Sequence, residues 1–152
     1  MATIDKDFRV KNGLVVGQNA TIGGTLTVGT VNATTINGTI TGGVVLEKQY
    51  TQIGTLTVGD VGVRWYPATN ITINSAIARV VTAPTGSSII LSIKVNGTAA
   101  QSITINNGST ASSLISTSIS VTYGQYVTIG ISQIGNSVAG SDLNVTLNYT
   151  RA

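Results

Sequence analysis

Cysteine and histidine are both absent from this chain of 152 residues. That excludes disulfides, thiolate or imidazole metal ligands, and catalysis by a Cys or His side chain. Serine is abundant, but a Ser-His-Asp triad needs an imidazole, and no motif surrounds Lys94 to suggest a Ser-Lys dyad. Carboxylates are few: Asp5, Asp7, Glu47, Asp60 and Asp142 are the whole set. A glycosidase needs two facing carboxylates. Beyond Glu47, which reads as a linker residue, Asp60 and Asp142 form the one available pair. Both sit in turn-like contexts, Gly59-Asp60-Val61-Gly62 and Gly140-Ser141-Asp142, where an aspartate serves its own backbone. The expectation is a protein with no enzymatic activity, cofactor or metal.

Charge is also scarce, at 9% of residues against roughly 25% in ordinary soluble domains. The net charge of +3 is scattered, without a basic stripe interleaved with aromatics, so nucleic acid is not expected as a partner. Disordered chains are charge-rich and poor in aliphatics, the opposite of this composition. No stretch approaches the roughly 20 apolar residues of a membrane span, and the polar opening MATIDKDFRVK does not resemble a signal peptide. The chain is therefore expected to be made and assembled in a cytoplasm, with no membrane partner. No window shows helical periodicity with caps.

What is present is aliphatic and hydroxylic. Residues 12–46 carry no charge, no aromatic ring and no proline, and their aliphatics are spaced by Thr, Asn and Gly. NATIGGTLTVG at residues 19–29 is echoed by NATTINGTITGG at 32–43. Repeats this small, with glycines that are costly to order, bury their apolar face only against copies of themselves. Three chains about one axis is the economical solution. The segment reads as a fibrous β stalk, with Val16, Ile22, Leu26, Val28, Ile36 and Ile40 at the trimer seam. Ahead of it, residues 1–11 hold the one Phe of the chain. They read as a docking peptide contacting a particle through Phe8, Arg9, Val10 and Lys11.

From residue 47 onward, turn signals and apolar alternation recur at sandwich-like spacing. Strands are predicted at 51–58, 64–66, 71–82, 89–95, 100–105, 114–121, 127–134 and 143–150. Asn96-Gly97 is the strongest hairpin signal. Side chains alternate across a strand, which assigns Ile89, Leu91, Ile93 and Val95 to a core. Ile103, Ile105, Val127, Ile129, Ile131, Leu143, Val145 and Leu147 join them. Eight strands in about a hundred residues predict a jelly-roll-like β-sandwich knob.

The aromatic cluster Arg64-Trp65-Tyr66-Pro67 has two readings. Trp and Tyr combine an apolar body with a polar handle, so they suit a packed seam or a sugar-stacking platform. Pro67 marks a strand end, which favours packing for Trp65. Trp65, Tyr66, Tyr123 and Tyr126 are the candidate glycan contacts. The N-x-T/S sequons at Asn19, Asn32, Asn37, Asn70, Asn96 and Asn144 follow from an Asn- and Thr-rich composition and are not read as glycosylation sites.

Two stretches resemble a known family. DKDFRVKNGLVVGQNATIGGTLTVG is similar to the N-terminal and shaft repeats of virion structural proteins of cyanobacterial viruses. The region from Arg64-Trp65-Tyr66 through TAPTGSSIILSIKVNGT and QIGNSVAGSDLNVTLNYT resembles a β-sandwich at the ends of phage fibres and of head-decorating proteins. The resemblance implies a structural virion protein, usually a homotrimer, with no catalytic residues to carry over. The resulting expectation is an all-β intertwined homotrimer: docking peptide 1–11, fibrous stalk 12–46 and knob 47–152. It would be a short fibre or capsid decoration (cement) protein at the particle surface, partnered by itself and by major capsid or tail proteins. The alternative is a tail-fibre receptor-binding module recognising a host cell-surface glycan.

Overall fold

The structure, a computed structural model, describes residues 45–151 together with Gln18, Thr21, Thr25 and Thr27. The docking residues Phe8, Arg9, Val10 and Lys11 lie outside the described residues. So do the stalk residues Val16, Ile22, Leu26, Val28, Ile36 and Ile40.

Among the described residues eight strands follow one another: β1 (Leu46–Thr55), β2 (Gly59–Trp65), β3 (Ile71–Arg79), β4 (Ile89–Val95), β5 (Thr98–Ile105), β6 (Ile115–Val121), β7 (Val127–Gln133) and β8 (Ser141–Arg151). They form two four-stranded sheets, in the orders β1-β8-β3-β6 and β2-β7-β4-β5, with every pairing antiparallel. Only the β4–β5 connection stays within one sheet. Each other connection crosses to the opposite sheet, so the two sheets are tied together by the chain itself.

The inner faces share one apolar cluster, in which Ile73, Ile89, Leu91, Ile93, Ile103, Ile105, Ile129 and Leu147 are fully enclosed. The alternation that assigned the core is borne out except at Val95, which is half-buried beside the hairpin. Truncating one of the enclosed leucines, as in Leu147→Ala, is expected to cost about 2–5 kcal/mol because the cavity cannot collapse fully. The two-residue hairpin at Asn96-Gly97 joins Val95 to its partner Thr98, with both turn residues at positive φ, 50° and 83°. That is the geometry the Asn-Gly pair favours.

Two local readings are corrected. Glu47 is not a linker residue: with Lys48 it lies at the start of β1, where the two pair with Asn148 and Leu147 of β8. These weak strand formers are held by a long partner strand rather than by their own preference. Gly59-Asp60-Val61-Gly62 is not a turn but the first part of β2, and Val61 is buried in the core.

Candidate functional site

The antiparallel order gathers one set of chain ends. Leu46 pairs with Tyr149, Ile71 with Arg151 and Val121, and Trp65 and Val95 both with Val127. The start of β1, the end of β8, the loops at 66–70 and 122–126 and the β4–β5 hairpin therefore lie at one end of the sandwich. The polypeptide enters β1 here. Side-chain amides fasten the loops. Asn70 Oδ1 accepts from the Tyr123 amide at 2.8 Å, and Asn96 Oδ1 accepts from the Tyr126 amide at 3.0 Å. Asn96 returns its own amide to the Tyr126 carbonyl at 2.9 Å. Asn70, which read only as a chance sequon, is thus a turn-locking group, as is Asn96 of the predicted hairpin turn.

Trp65, Tyr66, Tyr123, Tyr126 and Tyr149 collect at this end. Trp65 is half-buried and meets Tyr149 at 5.0 Å between ring centroids, tilted by 57°. That is an ordinary packing geometry for aromatic pairs. Tyr66 meets Tyr126 at 5.6 Å, and Tyr66 and Tyr123 are exposed at 55% and 72%. Of the sequence-predicted contacts, the structure pairs Tyr66 with Tyr126. It turns Trp65 inward and leaves Tyr123 on the same loop as Tyr126. Below them Tyr50 is buried, its hydroxyl donating to the Val127 carbonyl at 2.7 Å across the two sheets. Burial pushes the Tyr50 phenol well above its ordinary pKa.

Cations face these rings. The Arg64 guanidinium stands 4.4 Å from the Tyr126 ring centre, and Lys48 Nζ stands 5.5 Å from Tyr50 and 5.9 Å from Trp65. Interaction with the Tyr66 hydroxyl, and then with Tyr126, raises the pKa of the Arg64 guanidinium. An open cleft of about 200 Å³ runs beside Trp65, Tyr66, Pro67, Thr69, Tyr149 and Arg151. It presents ring faces, hydroxyls and positive charge, a set that can stack on a polar ring and pair with an anion. Among the described residues no carboxylate lines it.

The two sandwich aspartates are committed elsewhere. Asp60 lies on the outer face of its sheet and pairs with Lys94 at 2.7 Å. Lys94 reaches it by crossing β7 at Gly130, where a Cβ would lie 2.5 Å from Lys94 Cε. Asp142 accepts the Gly54 amide at 2.8 Å and the Ser141 hydroxyl at 2.9 Å. It therefore ties β8 to a bulge of β1 instead of capping only its own turn. Those hydrogen bonds hold its carboxyl below the usual carboxylate pKa. Among the described residues no group of His, Cys, Asp and Glu is arranged to hold a metal ion.

No protein-family model matches this chain, and no curated protein matches it significantly. The site therefore stands on its geometry. Sequence reasoning missed Lys48, Tyr149 and Arg151 as members. Tyr149 had a readable signal, since it continues the inward alternation of Leu143, Val145 and Leu147. Lys48 and Arg151 had none, because they join the cluster only through the pairing of the first strand with the last.

Proposed function

We propose that this chain is a structural component of a phage virion. It is a short trimeric fibre or a capsid decoration protein that projects from the particle surface. The observation that carries the reading is the pair of strand orders, β1-β8-β3-β6 and β2-β7-β4-β5. Eight strands joined in this way fit a jelly roll, an architecture recurrent in viral capsid domains. In this reading residues 12–46 form the intertwined stalk and self-association buries their aliphatics, each CH₂ contributing about 0.8 kcal/mol. Residues 1–11 dock to a head or tail protein through Phe8, Arg9, Val10 and Lys11. The sandwich is the outward knob, and the mechanism is assembly rather than chemistry.

The test is binding of the full chain to empty capsids and to tails. Retention on one of them, lost when residues 1–11 are deleted, supports the reading. Failure to bind either overturns it.

The pairing of exposed Tyr66 with half-buried Tyr126 under Arg64 favours a second reading, a receptor-binding module for a host glycan. It predicts glycan binding that Tyr126→Ala or Trp65→Ala abolishes. We rank it second because Trp65, one of its proposed contacts, is half-buried and packed against Tyr149.

A further inference from the structure

A strand at a sheet edge offers unpaired N–H and C=O groups, and proteins ordinarily blunt such edges with charges, proline, glycine or bulges. Three of the four edges here are blunted. β1 carries Glu47 and Lys48 and a register break between Gln52 and Thr55. β2 carries Asp60 and Arg64, two glycines at positive φ and a break between Val61 and Trp65. β5 is kinked opposite Ile93 and Lys94. The sequence of β6, ISTSISV, has no charge, no proline and no glycine. Its one irregularity lies on the side that pairs with β3, and no described residue pairs with its outer edge.

Two further observations point the same way. Residues 95–141 contain no charged side chain at all. In addition, the inward-facing Ile115 and Ile119 are only partly covered by the core, and the adjoining Leu114 is 62% exposed. We infer that the outer edge of β6 is an interface with β6 of a second copy of this chain.

Self-pairing across a two-fold axis places a strand opposite its own copy. Any charge near the axis would then face itself, and a neutral strand avoids that repulsion. A two-fold through Ser118 pairs all seven residues of β6. It sets Ser116 against Ser120 of the partner subunit, Ile115 against Val121 of the partner subunit, and Thr117 against Ile119 of the partner subunit. Serines meet serines on the outer face, and apolar side chains meet on the inner face, as the period of two requires. The β1-β8-β3-β6 sheets of the two copies become one continuous sheet. The half-covered isoleucines gain cover, and the edge hydrogen bonds are satisfied by strand addition.

The absence of cysteine permits a direct test in the full chain. Ser118→Cys, at the centre of β6, is exposed to mild oxidation beside Thr51→Cys, an exposed position on the opposite edge strand. A covalent dimer that forms faster at position 118 is expected. Equal rates at the two positions overturn the inference. Ser118→Lys keeps an exposed side chain, leaves the fold in place, and sets two like charges face to face. It is expected to lower the mass at high concentration, and an unchanged mass also overturns the inference. The stalk reading fails separately. With β6 pairing but no stalk trimer, wild type is a dimer and Ser118→Lys a monomer. With both, Ser118→Lys is a trimer.

Discussion

The two flanks of the sandwich are built differently. The β1–β2 flank holds Glu47, Lys48, Asp60 and Arg64, the buried Tyr50 that bonds across the sheets, and both pronounced register breaks of its edges. The β5–β6 flank has no charge, and its inward isoleucines at Ile115 and Ile119 are partly covered. One flank breaks its edges with charges and register shifts, even though Ile53 and Val63 are exposed on it, and the other offers a neutral, regular edge strand in β6. Neutrality in this chain is therefore not uniform: it is concentrated in residues 12–46 and in residues 95–141, the two places proposed to meet copies of the chain.

The largest expected effect is on the closed flank. Tyr50→Ala removes a buried ring and its bridge to Val127, and denaturant unfolding should show a loss of about 3–5 kcal/mol. Ile119→Ala on the open flank removes a partly covered side chain and is expected to cost about 1–2 kcal/mol in dilute solution. The comparison sharpens if that cost grows with protein concentration, because pairing through β6 would complete the burial. It breaks if Ile119→Ala costs as much as Tyr50→Ala at every concentration.

Next comes the tie between β1 and β8. The Asp142 carboxyl has a folded pKa depressed below its ordinary value of 3.8 by the Gly54 amide and the Ser141 hydroxyl. Its contribution is thus fully present above the unfolded pKa and is lost as pH falls through the lower folded pKa. Unfolding measured from neutral pH down to strongly acidic pH should show this acid-side loss in the wild type. Asp142→Asn, which tolerates the positive φ of 56° at this position and keeps an acceptor oxygen, should lack that component. A wild type and variant with the same acid profile would contradict the assignment.

The smallest expected effect is at the Lys94–Asp60 pair, whose side chains are 28% and 52% exposed. A double-mutant cycle with Lys94→Met and Asp60→Asn should give a coupling below about 1 kcal/mol that fades with added salt. A larger coupling would mean that this sheet face is covered in the assembled protein.

Local signals carried much of this fold. Ile89–Val95 alternates cleanly, and Asn96-Gly97 states its own turn, so β4 and the hairpin were legible residue by residue. The start of β1 was not, because Glu47-Lys48-Gln49 has weak strand preference and is held by β8, about a hundred residues downstream. Asp60 misled for the same reason: glycines on both sides imitate a turn, while its pairing with Gly130 makes it strand. The candidate site was half legible. Trp65 and Tyr66 are adjacent in sequence and so point to opposite faces, which already separates a packed ring from an exposed one. That Tyr66 meets Tyr126, and Trp65 meets Tyr149, depends on sheet order, which no local pattern contains.

The central claim is that this chain works by assembling with itself. Its most direct test is the mass of the full chain by light scattering across a concentration series. Three chain masses are expected at the lowest concentration, rising above three as β6 edges pair. One chain mass throughout the series would contradict it.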